Sequence, residues 1–128
     1  MSMLRVLVVD DEMPNLKTFQ RVYRKHYDIQ LADTGEAGLQ LLSEQEFDAV
    51  VLDFGMPVMS GAEFIDKAQR VRPVAIVMVT GYMTHPEVVE LESSQRIFAL
   101  LGKPWDRQAL IDVVARASEH TRALRDPP

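Results

Sequence analysis

"DAVVLDFGMP" (residues 48–57) opens like a strand buried on both faces and then breaks off. Ala49, Val50, Val51 and Leu52 form the short continuous apolar run that a central parallel strand needs. Asp53 ends the run, and Gly55 and Pro57 turn the chain. A carboxylate at the tip of a buried strand either starts a turn or does chemistry, and the surrounding sequence decides between the two.

Outward from this stretch, "LRVLVV" (4–9), "DIQLA" (28–32), "PVAIVMVT" (73–80) and "IFALL" (97–101) join "DAVVLD" (48–53) to predict five strands. Amphipathic segments lie between them. Pro14 suits the first turn of a helix reaching about His26, with Leu16, Phe19 and Tyr23 at helical spacing. Thr34 caps a second helix that places Leu39 and Leu42 on one face with Leu41 beside them. Phe64, Ile65 and Ala68 mark a third helix after Gly61, and Pro86 opens a short acidic fourth. Asp106 caps the fifth, whose stripe is Leu110, Val113, Val114 and Ala117. Such alternation predicts an α/β fold, a doubly wound parallel sheet with right-handed crossovers.

The 128 residues are 47% hydrophobic and 26% charged, which fits one domain with a single substantial core. A net charge of −5 without an evident Lys/Arg cluster argues against direct nucleic-acid binding. With no Cys, neither a disulfide framework nor a thiolate zinc site can form. Val6 to Val9 is too short for a membrane span, so no membrane association is expected and a cytoplasmic location is.

Ligands of doubly wound sheets bind outside the carboxyl ends of the strands. Here those ends carry Asp10-Asp11, Asp53, Thr80-Gly81 and Gly102-Lys103-Pro104. Each has an ordinary reading alone: Asp10-Asp11 as a helix cap, Asp53 as the start of an Asx turn, Thr80 as strand-to-loop chemistry, Lys103 as a solvated charge. Together they place three carboxylates, a hydroxyl and an ammonium at matching strand ends. If the first and third strands are neighbours, Asp10, Asp11 and Asp53 share one crevice. Two carboxylates roughly 5 Å apart repel by about 3 kcal/mol at an effective dielectric near 20, so the trio calls for a cation. Few all-oxygen ligands completed by water and phosphate suit Mg²⁺. Asp53 is then the candidate nucleophile, forming an acyl phosphate, with Thr80 and Lys103 contacting the phosphoryl oxygens.

These residues resemble the receiver domain of two-component response regulators. The resemblance rests on Asp10-Asp11, Asp53, Met56-Pro57, Gly61, Thr80 and Lys103-Pro104, and covers essentially the whole chain. It implies a flavodoxin-like receiver fold of five strands, order 2-1-3-4-5, with five helices, over residues 1–125; residues 126–128 read as a tail like the start of a linker. It further implies that Asp53 accepts a phosphoryl group from a phosphohistidine on a sensor histidine kinase or histidine phosphotransfer protein. The domain would catalyse its own phosphorylation and dephosphorylation. Asp11, Asp53 and the backbone carbonyl of Gly55 would ligate Mg²⁺ directly and Asp10 through water, and the Lys103-Pro104 peptide would be cis. A downstream protein or fused effector domain would read the state at a surface made by the fourth helix, fifth strand and fifth helix, where self-association is also expected.

Other functions compare poorly. A haloacid-dehalogenase phosphatase needs a second Asp two residues after its nucleophile, where Gly55 stands, and a flavin carrier would not offer "DDEMPN" to a phosphate. A pseudo-receiver that only binds partners would typically lack the nucleophile, the acidic pair or the Lys. The departure from the family pattern is Leu100, three residues before Lys103, where an aromatic switch residue is usual. Leu100 could still give a muted rotamer switch; Phe98, two residues earlier, would share its face by strand alternation, the alternative being a fixed core residue. Trp105 stands where Phe is frequent, and Tyr82 is placed to cover the pocket mouth.

Overall fold

The computed structural model describes residues 3–53, 55 and 59–126. Five strands, β1 (Leu4–Val9), β2 (Tyr27–Ala32), β3 (Ala49–Asp53), β4 (Ile76–Thr80) and β5 (Ala99–Gly102), alternate with five helices. These are α1 (Met13–Tyr23), α2 (Gly35–Glu44), α3 (Gly61–Val71), α4 (Pro86–Ser93) and α5 (Arg107–Arg125). All strand pairs are parallel and the sheet order is β2-β1-β3-β4-β5, as expected.

The strands sort their side chains between two cores with a period of two. Leu7, Val9, Val50, Leu52, Ile76 and Met78 meet Leu42 of α2, Phe64 and Ile65 of α3 and Leu91 of α4 on one face. Val6, Val8, Val51, Val77 and Val79 meet Leu16 and Phe19 of α1 and Leu110, Val113 and Val114 of α5 on the other. With both faces covered, β3 and β4 can be apolar throughout except at their last residues. Gly38 lets α2 approach closely: a Cβ there would meet Val9 Cγ2 at 3.0 Å and the Phe64 ring at 3.2 Å.

The helix starts follow the expected chemistry at Thr34 and Asp106, whose side chains accept from the N–H groups of Ala37 and Ala109. Ser60 does the same for Glu63 at the start of α3. Three boundaries differ from expectation by two residues or more. The first helix stops at Tyr23, where the His26 N–H bonds the Tyr23 carbonyl at 2.8 Å. The fourth strand begins at Ile76, because the Gln69 side chain holds both the N–H and the carbonyl of Val74 and Thr121 takes the Ala75 N–H. The fifth begins at Ala99, and this corrects the reading of Phe98: its ring packs on the α1/α5 face, 5.2 Å from the His120 ring, whereas Leu100 packs on the α4 face. Alternation assigns a shared face only inside the strand, and Phe98 lies before it. Among the described residues no helix is long and apolar enough to cross a membrane.

Candidate phosphoacceptor site

The register that pairs Val9 with Leu52 carries Asp10 and Asp53 off neighbouring strands side by side. Their carboxylates and that of Asp11 each offer an oxygen within 4.8 Å of the others. Asp10 is 6% exposed and Asp53 8%, while Asp11 faces solvent. At such separations each pair of ionised carboxylates repels by about 3 kcal/mol at an effective dielectric near 20. The molecule offsets part of this with donors. Asp10 accepts from the Glu12 N–H at 3.0 Å and from Asn15 Nδ2 at 3.3 Å. Asp53 Oδ1 accepts from Lys103 Nζ at 2.7 Å. Burial nevertheless pushes the Asp10 carboxyl above its ordinary range; the Glu12 N–H opposes this, Asp53 adds to it, and Lys103 and Asn15 oppose it.

Of the ordinary readings, those of Asp10-Asp11 and Lys103 fail and that of Thr80 holds. The N-cap of α1 is Glu12, with no side-chain cap bond, so Asp10-Asp11 do not serve as that cap. Lys103 is ion-paired to Asp53, its side chain 32% exposed. Thr80, 1% exposed, does have the expected turn chemistry, its Oγ1 accepting from the Tyr82 N–H at 2.9 Å. That bond uses a lone pair and leaves the hydroxyl proton to donate elsewhere. The Lys103 N–H donates to the Thr80 carbonyl at 2.8 Å, which fixes the end of β5 against the end of β4. The Lys103-Pro104 peptide is cis. Gly55 is exposed, with its Cα side turned to Asp53: a Cβ added there would stand 3.7 Å from Asp53 Oδ2. Met56-Pro57 lie outside the described residues.

An all-oxygen donor set of three carboxylates, one exposed and two buried, fits a hard divalent cation such as Mg²⁺. Beside it lies a cavity of about 560 Å³ whose lining includes Asp10, Asp53 and Lys103 together with Phe19, Tyr23 and Trp105. Two contacts here escaped the sequence reading. Asn15 supports Asp10 from the first turn of α1, a donor whose only sequence signal is its place just after Pro14. Trp105 Nε1 donates to the Tyr23 hydroxyl at 3.0 Å across 82 positions of sequence, which no local pattern encodes.

A family model described as the response regulator receiver domain matches residues 6–115. The chain belongs to the response regulator receiver family. Over 123 residues this receiver is 29% identical to the transcriptional regulatory protein GlrR of Escherichia coli K12, covering 94% of its own length and 28% of that protein. It is 30% identical over 112 residues to a response regulator receiver protein of Anaeromyxobacter, covering 87% of this chain and 47% of that one. The receiver thus spans less than half the length of either relative. Among solved structures, a CheY-like receiver domain protein of Methanospirillum hungatei superposes with a TM-score of 0.84 at 26% identity, over 94% of this chain and 98% of that one. The receiver domain of the sensor histidine kinase PA1611 of Pseudomonas aeruginosa, solved with a magnesium ion in its active-site cleft, shares the fold at a TM-score of 0.78 and 21% identity, covering 92% and 99% of the two chains.

Proposed function

We propose that this receiver is a phosphoacceptor switch in which Asp53 takes a phosphoryl group from a phosphohistidine on a sensor histidine kinase or histidine phosphotransfer protein. The observation that carries the reading is the ammonium of Lys103 held 2.7 Å from Asp53 Oδ1 while two further carboxylates crowd the same strand end. The nucleophile thus already has one cation on it and has donors arranged for another.

In the forward step an Asp53 oxygen attacks phosphorus, the P–N bond to the imidazole breaks, and the histidine leaves with that electron pair. In the reverse of signalling, water attacks the acyl phosphate, the Asp53 O–P bond breaks, and inorganic phosphate departs from a regenerated carboxylate. Asp11, Asp53 and the Gly55 carbonyl would hold Mg²⁺, with Asp10 acting through water. When bound, Mg²⁺ supplies positive charge opposite the phosphoryl oxygens and the carboxylates. Lys103 neutralises a phosphoryl oxygen from the other side, and Thr80 donates its hydroxyl proton to another. A pseudo-receiver would typically lack the nucleophile, the acidic pair or the lysine, and Asp53, Asp10-Asp11 and Lys103 are all in place.

The relatives' greater length supports a role inside a larger protein or alongside a separate partner, read at α4, β5 and α5, where self-association also belongs. Incubation with a small-molecule phosphodonor and Mg²⁺, followed by intact mass, should add one labile phosphoryl group to the chain and none to Asp53→Asn. Equal labelling of the two would overturn the reading.

A further inference from the structure

Residue 100 is poorly suited to report phosphorylation. Leu100 is packed on the α4-side core and has no polar tip. An aromatic side chain that lines the site's cavity and follows Lys103 by two residues is Trp105. Its indole is half-buried, its N–H bonds the hydroxyl of buried Tyr23 at 3.0 Å, and it lines the same 560 Å³ cavity as Asp53 and Lys103. It therefore has three things a switching ring needs: a link to the reacting group, a hydrogen bond to exchange, and unfilled space to enter.

We infer that Tyr23 and Trp105 are the phosphorylation-sensing contact of this receiver, a latch between the β5–α5 connection and α1 that opens when Lys103 turns from the Asp53 carboxylate to the phosphoryl group. The inference rests on the phosphoacceptor reading of Asp53. In the resting chain Lys103 Nζ pairs with Asp53 Oδ1. Phosphorylation moves the negative charge outward by a P–O bond, and the ammonium follows it. Residue 103 is pinned on its amino side by its N–H to the Thr80 carbonyl, so its displacement is passed forward. Pro104, with its φ fixed by its ring, hands that displacement to Trp105 with little slack.

At the far end, Tyr23 is the last residue of α1, ringed by Phe19 at 4.6 Å and Tyr27 at 6.1 Å between centroids. A second strut runs parallel: Arg107 Nη2 donates to the Val22 carbonyl at 3.4 Å. The end of α1 is thus held to the β5–α5 connection and the start of α5 by two side chains that flank Asp106. Opening the latch changes the α1/α5 face of the domain, the side opposite the Leu100 core.

Trp105 is the single tryptophan of the chain, so its emission reads the latch directly. The full chain is treated with Mg²⁺ and a small phosphodonor, and intact mass is recorded beside fluorescence. Phosphorylation should shift the emission of the wild-type chain and leave that of Asp53→Asn unmoved. Tyr23→Phe, which lacks only the accepting hydroxyl, should start at the emission of the phosphorylated wild type, still gain the phosphoryl group, and lose the shift. Trp105→Phe, which keeps a ring without the donor, gives an independent reading by hydrogen exchange. Phosphorylation should speed exchange at the end of α1 in the wild type and do so no further in this variant. A phosphorylated wild type with unmoved emission, or an undiminished shift in Tyr23→Phe, overturns the latch while leaving the phosphoacceptor reading intact. A chain that gains no phosphoryl group overturns both.

Discussion

The two edges of the sheet bury polar groups in opposite ways. At the amino edge several are spent on main chain: Thr121 Oγ1 accepts the Ala75 N–H at 2.9 Å, Asp48 Oδ2 accepts the Arg5 N–H at 2.7 Å, and the Gln69 amide clamps both polar groups of Val74. Arg125 reaches the Phe47 carbonyl in the same manner. At the carboxyl edge Asp10 and Thr80 also take main-chain N–H groups, but there three carboxylates of the same charge face one another. A buried polar group that satisfies the backbone lowers the folding free energy of the chain that holds it. One that faces a like charge raises that energy and is made useful by something that binds. Burial alone therefore does not distinguish scaffold from site, whereas the identity of the partner does.

Neutralising the carboxyl edge should remove function and spare stability. Asp53→Asn is expected to lose phosphoryl labelling completely while its thermal midpoint without Mg²⁺ does not fall, since relief of the repulsion from Asp10 and Asp11 offsets the lost contact to Lys103. A midpoint several degrees lower would mean that the ion pair is part of the scaffold and would blur the contrast between the edges.

The amino edge should behave in the reverse way. Thr121→Val keeps the shape and removes the acceptor, stranding the Ala75 N–H at a cost of about 1 to 3 kcal/mol in denaturant unfolding. Labelling of Asp53 under folding conditions should be unchanged. Asp11→Ala returns to the other edge with a smaller energy. Mg²⁺ affinity should fall at least about tenfold, which is roughly 1.4 kcal/mol, and the rise in thermal midpoint caused by Mg²⁺ should shrink with it.

Among the described residues two buried groups near the amino edge break this pattern, Arg125 Nε and the Tyr27 hydroxyl. Tyr27, at the start of β2, is buried and its hydroxyl has no hydrogen-bond partner among the described residues. Burial pushes its pKa from 10.0 up to about 12. The folded chain therefore holds a proton that the unfolded chain releases, so stability is complete below pH 10 and declines as pH rises from 10 towards 12. Tyr27→Phe should match or exceed the wild type by up to about 1 kcal/mol at neutral pH and remove that part of the alkaline decline. A hidden water bridging the hydroxyl would show itself as a loss of stability instead.

How much of this could be read from sequence follows from the range of each interaction. The strands, the sheet class and the strand-end residues rest on local runs and periods, and the five apolar stretches carried them, with Asp10, Asp11, Asp53, Thr80 and Lys103 arriving together at one edge. The start of the fourth strand at Ile76 was not legible, because the polar groups that cut the ladder short, Gln69 and Thr121, belong to helices elsewhere. Charge was obscured in a different way. Lys17, Arg21, Arg24 and Lys25 look scattered in sequence, yet they follow one another at helical spacing, all exposed, with no carboxylate from residue 13 to residue 27. The outer side of α1 and the turn that follows it are therefore basic on an acidic protein. The Trp105 to Tyr23 contact was invisible for the plainest reason, that neither residue's neighbours specify the other.

The smallest expected effect tests whether the carboxyl edge extends past its buried members. Tyr82 is 65% exposed, yet its N–H is fixed 2.9 Å from the Thr80 hydroxyl oxygen, so its ring starts from a point tethered beside the proposed phosphoryl site. Gly81 between them would meet nothing within 4 Å if it carried a Cβ, which leaves the approach open on that side. A ring at such a mouth acts on the water that hydrolyses the acyl phosphate, through access and not through bonding. Tyr82→Ala should therefore shorten the acyl-phosphate lifetime by a factor of about 2 to 3, well under 1 kcal/mol of barrier, with labelling and Mg²⁺ affinity unaltered. Tyr82→Phe, which keeps the ring, should keep the wild-type lifetime. If Tyr82→Ala decays at the wild-type rate, water reaches Asp53 by another route and the functional edge ends at its buried residues.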